Sequence, residues 1–177
     1  MTAAHSSDGS FGATASGEWL SALRRYIAFI AVANLVWEFA HMPLYTLWET
    51  GSAGEIVFAA VHCTGGDILI ALCAVMLALF LAGTPAWPTV RTGRVVALTV
   101  ALGLGYTLFS EWLNIEVRQA WAYRDLMPVI PVIDAGLSPI LQWIVIPLTG
   151  FRFATRPQVR HYKTAPIGDL PDRINHA

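Results

Sequence analysis

Four long stretches of near-continuous hydrophobicity, residues 27–47, 56–82, 95–114 and 137–153, dominate the chain. About 20 apolar residues cross the hydrocarbon core of a bilayer, so each reads as a membrane span, the fourth being short and interrupted by Pro147. Polar or helix-breaking segments separate them. Residues 49–55 form a short polar loop, 83–88 (Gly-Thr-Pro-Ala-Trp-Pro) cannot continue a helix, and 116–136 carries Pro128 and Pro131. Short connections force antiparallel neighbours. The expected architecture is an all-α, integral-membrane four-helix bundle over residues 23–155. Residues 1–22 and 156–177 read as disordered tails, rich in small, polar or proline residues. The first tail has neither a basic n-region nor an apolar h-region, so the first span is expected to cross as an uncleaved anchor.

Composition agrees with this reading. Hydrophobic residues make up 55% and charged residues 13%, too few charges for an ordinary soluble surface. The net charge of −1 gives no basic face for nucleic acid. Cys63 and Cys73 fall on one predicted helix, about 15 Å apart along its axis, and so cannot bridge to each other. Both are expected to be buried apolar thiols. Arg24, Arg25, Arg91, Arg94, Arg152, Arg156, Arg160, Lys163 and Arg173 fall on one side of the four-span topology, with only Arg118 and Arg124 on the other. The positive-inside rule then places both termini in the cytoplasm and makes the chain a multi-pass protein of the cell inner membrane.

The spans contain residues that a plain anchor does not need. Asn34, Glu38 and His41 lie at i, i+4 and i+7 on one face of the first span. The second span carries His62 and Asp67, the third Glu111 and Asn114, and the fourth Ser138 and Gln142. Counting 1.5 Å per residue brings most of these groups to one layer in the outer leaflet, with almost wholly apolar helix halves beyond it. Ionisable groups inside a span cost a few kcal/mol each unless paired, and so face the protein interior. His62 and Asp67 are five residues apart, about 140° around a helix, and should not point at one spot. Arg118 shares a face with Glu111 and Asn114 and could fold back as an ion-pair partner. Gly103 and Gly105 in the third span are expected to admit a neighbouring helix, and Gly65 and Gly66 either to loosen the second span or to do the same. The apolar 116–136 loop, with Trp121, Tyr123 and Arg124, reads either as an interfacial belt or as a lid over the polar layer, with Arg124 and Asp125 free to meet a polar headgroup.

Several functions remain open on these residues. Glu38, Glu111, His41 and His62 could act as proton donors and acceptors on a lipid, sterol or isoprenoid ligand whose tail lies among the apolar halves. Trp37, Trp48, Trp112 and Trp143 could stabilise a cationic intermediate. Glu38 and His41 form a Glu-x-x-His pair, the spacing of di-metal carboxylate bundles, but no second pair follows. His41 and His62 could instead ligate a metal or haem. Asp67 would suit proton or ion transport, although no polar path continues through the apolar halves. The same groups could also serve only as interhelical hydrogen-bond glue. Cofactor and oligomeric state are not specified by the sequence.

The runs His62-Cys-Thr-Gly-Gly-Asp67, Ser110-Glu-Trp-Leu-Asn114, Trp121-Ala-Tyr-Arg124 and Gly136-Leu-Ser-Pro-Ile-Leu-Gln-Trp143 resemble those of small polytopic bacterial membrane proteins known mainly as hypothetical proteins. The chain is also loosely similar to integral-membrane isomerases and cyclases of sterols and carotenoids, which place His and Glu within a helical bundle. Here Glu38 precedes His41, the reverse of the order expected in the sterol isomerases. That second resemblance implies lipid chemistry. The expected site is therefore Glu38, His41, His62 and Glu111, supported by Asn34, Asp67, Asn114, Gln142, Trp121, Tyr123 and Arg124.

Overall fold

A computed structural model describes residues 9–83 and 86–156. The remainder of both expected tails, 1–8 and 157–177, lies outside them. Helix α1 runs Gly9–His41, so its first turns occupy part of the stretch expected to be a tail, and Trp19, Ala22 and Leu23 pack into the core. Pro43 lacks an amide hydrogen and ends the helix regularity. A 3-10 turn, Met42–Leu44, follows, then the one-turn helix α2, Leu47–Thr50. Helix α3, Ala53–Ala82, opens on a capping box in which the Ser52 and Glu55 side chains each accept the other's backbone N–H. It closes on Gly83 in the left-handed conformation (φ +57°). Helix α4, Thr92–Trp112, widens into a π-helical turn over Leu113–Val117, and helix α5 is Leu137–Ala154. Between them the chain is irregular apart from a two-residue antiparallel ribbon, β1 (Val129–Ile130) and β2 (Ala135–Gly136).

Among the described residues, four stretches are long and apolar enough to cross a membrane: Gly17–Leu44, Ala53–Ala82, Thr92–Val117 and Leu137–Ala154. They pack in cyclic order, α1 against α3 and α5, and α4 against α3 and α5. Large apolar side chains face outward: Val36 is 65% exposed, Phe58 69% and Phe80 81%. The interior rows are small or polar instead. On α4 the buried residues are Val95, Thr99, Gly103, Thr107 and Glu111, one every four; on α3 they include Ala60, Thr64, Asp67, Ala71, Ala74 and Ala78. In lipid, helices gain little from burying apolar area against one another, so association depends on close approach, and small residues permit it. Thr64 and Thr99 hydroxyls donate to the carbonyls of Ala60 and Val95, one turn earlier, at 2.8 Å each. Inside the apolar half, Tyr26 stacks on Phe151 with ring centroids 4.3 Å apart.

The glycine expectations divide. A Cβ on Gly103 would lie 2.2 Å from Trp143 Cε3, so this glycine seats the indole of α5 against α4. Gly105, Gly65 and Gly66 have no such neighbour within 4 Å, and α3 runs unbroken through the last two. Gly103→Ala should therefore lower the thermal midpoint of the detergent-purified protein, following an overpacking cost of about 1–3 kcal/mol. Gly105→Ala should leave it unchanged or slightly raised. Tryptophan-fluorescence melts of the two variants check this pair, and equal shifts would contradict the packing assigned to Gly103.

Candidate functional site

The interior face of α1 repeats every four residues as Ala22, Tyr26, Ile30, Asn34 and Glu38, then continues through His41 to Tyr45, all of them buried. The row is apolar in its first half and polar in its second. The polar half lies at the end of the bundle that carries the 113–136 connection, called here the loop end. Asn34 donates through Nδ2 to the Ile30 carbonyl at 2.9 Å, which turns its Oδ1 toward α5. There Gln142 Nε2 lies 2.9 Å from Asn34 Oδ1, 3.0 Å from Glu38 Oε1 and 3.0 Å from Asp67 Oδ2. Two oxygens from α1 and one from α3 thus converge on a single nitrogen of α5. That nitrogen has two hydrogens for three acceptors. Sharing this donor brings the Asp67 carboxyl beside that of Glu38.

The other Glu38 oxygen, Oε2, meets His41 Nε2 at 3.1 Å. His41 Nδ1 lies 3.1 Å from Ser138 Oγ, which in turn accepts the Trp37 indole N–H at 3.2 Å. In the tautomer whose Nε2 donates to Glu38, Nδ1 accepts from the Ser138 hydroxyl. Ser138 and Trp37 thereby hold both the tautomer and the ring plane of His41.

A third carboxylate stands on α4. Glu111 accepts from the Tyr123 hydroxyl, whose oxygen accepts the Gly136 backbone N–H at 2.9 Å. The connection carrying Tyr123 is fastened to the end of α1. Tyr45 and Tyr123 form an isolated antiparallel bridge, Thr46 N–H donates to Ala122 O at 3.0 Å, and Arg124 N–H donates to Leu44 O at 2.9 Å. The Arg124 guanidinium donates to the Pro43 carbonyl at 2.6 Å and pairs with Glu49. The Tyr45 ring sits between His41 (5.1 Å) and Tyr123 (5.6 Å). Burial, then the charge of Glu111, pushes the Tyr45 phenol well above its ordinary pKa. Tyr123 is raised by burial, then by its bond to Glu111, against a smaller lowering by the Gly136 N–H.

Glu38, His41, Tyr45, Asp67, Glu111 and Gln142 line one cavity of about 600 Å³ among all four spans, with Ala120 and Trp121 of the connection also in its lining. The π-helical turn at its edge places Asn114 in the wall, where Nδ2 donates to Ser110 O at 2.8 Å. Such turns are rare, and frequent beside functional sites.

Some expectations need correction. Arg118 is exposed and forms no ion pair with Glu111, whose partner is Tyr123. Arg124 is not free for a headgroup, being held by Glu49 and Pro43. His62 does border the cavity, but it is exposed, lies outside the hydrogen-bond network and stacks on Phe58. The 140° between it and Asp67 explains the separation. His41 offers no spare nitrogen to a metal or haem, since both are engaged. Among the described residues no group of three or more His, Cys, Asp or Glu side chains is placed to hold a metal ion. Cys73 is exposed and Cys63 half-buried. Trp48 and Trp112 face outward, at 45% and 55% exposure, and cannot serve a cation in the cavity. Two roles had been missed: Ser138 as the support of His41, and Tyr45, which continues the four-residue row of α1 past the proline.

Compared with known protein families, curated proteins and solved structures, the chain has no match. The site therefore rests on its own geometry. Gln142→Leu leaves Asn34, Glu38 and Asp67 without their common donor, and each orphaned buried acceptor costs about 1–3 kcal/mol. The expected result is a large fall in thermal midpoint in detergent, with Gln142→Asn recovering little, because the shorter side chain cannot reach all three oxygens. The tyrosines give a pH prediction. A phenol whose pKa is raised by folding keeps its proton in the fold after the unfolded chain has lost it. Stability should thus be full below about pH 10 and fall above it. Tyrosinate absorbance from Tyr45 and Tyr123 should appear only together with unfolding, and Tyr123→Phe should remove its share of the alkaline loss.

Proposed function

We propose that this chain is a multi-pass membrane enzyme that performs acid–base chemistry on an apolar lipid or isoprenoid substrate at the loop end of its bundle. The observation that carries the reading is the Glu38–Asp67 carboxyl pair at the wall of a substrate-sized cavity, tied to His41 on one side and Gln142 on the other. Two carboxyl groups brought together on one shared donor, away from water, repel each other when both are charged, so the pair is suited to hold a single proton and to supply one acid and one base side by side. One carboxyl delivers a proton to a substrate double bond, and its neighbour takes a proton from an adjacent carbon. The double bond moves, and the pair ends with the same number of protons it began with. His41, held by Ser138 and Trp37, carries protons between Glu38 and the loop end. Tyr45, kept neutral, and Glu111, held in place by Tyr123, supply hydrogen bonds to a polar atom of the substrate.

The membrane is taken to be a bacterial inner membrane with both termini in the cytoplasm, on the strength of the nine-to-two distribution of Lys and Arg counted from the 11 in the chain. The loop end then faces the periplasm. Full engagement of both His41 nitrogens favours this reading over a haem or metal protein.

A substrate-independent test uses heavy water. The purified protein, reconstituted with total lipid from its host in D2O, should place deuterium in the carbon skeleton of one lipid species, detected by mass spectrometry. Glu38→Gln and Asp67→Asn should each lower that incorporation by about 10²-fold or more, the usual worth of a positioned acid or base. Ser138→Ala should lower it less and shift its pH profile, because that change disturbs only the support of His41. Incorporation no greater than in protein-free lipid would overturn the reading.

A further inference from the structure

A second, apolar hollow of about 310 Å³ lies between α3 and α4, lined by Leu69, Cys73, Ala74 and Leu77 on one side and Leu102 on the other. Ile70 and Tyr106 line both this groove and the polar cavity, so the two adjoin at these side chains. Tyr106 is 51% exposed and Leu69 62%, which places the groove on the outer surface of the helices, open to the side. From Gly66 in the cavity wall to Leu77 the path follows α3 for about 16 Å.

We infer that the ligand is a long-chain alcohol that enters sideways between α3 and α4, its hydroxyl in the polar cavity and its hydrocarbon tail in the groove beside Cys73. This rests on the cavity being the ligand site and adds the class of ligand and its route. Lipid tails are as apolar as leucine, so the groove by itself gains little by holding one tail rather than another. Selection falls to the head. The cavity offers three carboxyl groups, from Glu38, Asp67 and Glu111, to any group that donates a hydrogen bond. It also offers donors. The hydroxyl-bearing residues Tyr45, Thr107 and Ser110 line it. A hydroxyl both donates and accepts, and so suits the two sets together. A carboxylate or phosphate head would only accept, and would meet three acidic groups against the single guanidinium of Arg118, an exposed residue of the lining.

The experiment uses the full chain in phosphatidylcholine nanodiscs and a hexadecanol analogue with a photoreactive diazirine in mid-chain. Peptide mass spectrometry should find adducts concentrated on residues 69–77 and 102–106. Excess hexadecanol should displace them, and palmitate at alkaline pH should not. Cys73→Trp fills the groove from an exposed position, so it does not threaten folding, and should cut labelling about tenfold, equivalent to 1.4 kcal/mol of affinity. Phe80→Trp, on the outer face elsewhere on α3, should leave labelling unchanged. Adducts spread evenly around the lipid-facing side chains would overturn the inference, as would equal competition by palmitate. The outcomes separate from those of the deuterium test. Specific labelling without deuterium incorporation sinks the acid–base reading and keeps the groove; incorporation without groove labelling does the reverse.

Discussion

The Gln142 side-chain amide is the contact on which the rest of the bundle depends. A bilayer core supplies no water to satisfy a polar group, so Asn34, Glu38 and Asp67 must find partners within the protein. They find the same one. Because the nitrogen lies about 3 Å from all three oxygens, the rotations of α1, α3 and α5 about their axes are tied to each other. Helix α4 is joined to this set by a different route, through Glu111, Tyr123 and the Gly136 backbone at the start of α5. Individual interhelical hydrogen bonds in membranes contribute only about 1 kcal/mol. Their sharing of one donor gives this group its hold on the geometry, since no helix turns without breaking bonds belonging to the others.

The two halves of the molecule are built on different principles. Away from the loop end, the interior is alanine, glycine and aromatic rings, and Trp143 fits against Gly103 with no room for a methyl group. At the loop end the same helices diverge from regularity. The backbone of α1 breaks at Pro43, α4 ends in a π-helical turn, and a 600 Å³ space remains between them. The tight half holds the helices in place; the open half uses that rigidity to keep carboxyl groups within reach of each other. Trp143 belongs to both, packing on Gly103 and lying against Asp67.

Much of this was legible in the chain because membrane spans have a simple signature. Length and hydropathy marked all four helices, and α5 matched its expected range to within one residue, at Ala154. The polar layer was legible too, since Asn34, Glu38, Asp67, Glu111 and Gln142 are conspicuous in apolar surroundings. Rotation about the helix axes was harder. His62 resembles His41 on paper, yet it is exposed at the cavity's edge and stacks on Phe58 outside the hydrogen-bond network, a difference that nothing in the flanking residues signals. The partners of Arg118 and Arg124 depend on the path of the 113–136 connection, which no periodicity encodes. Ser138 was passed over because a hydroxyl in a span usually bonds its own backbone, as Thr64 and Thr99 do here. Tyr45 was hidden by Pro43: the break in the helix disguised a residue that keeps the spacing of the row.

The closed, apolar half has an electrical meaning. Below Asn34 the α1 row offers only Ile30, Tyr26 and Ala22, and the facing residues of α3 are Ala71, Val75 and Ala78. A charge moving through the whole membrane field gains or loses about 2.3 kcal/mol for each 100 mV. Protons that reach Glu38 and Asp67 from the loop end travel a short way into that field and must return by the way they came. On the proposed reading the lower bundle works as insulation, and proton exchange in the cavity neither drains the voltage across the bilayer nor draws upon it.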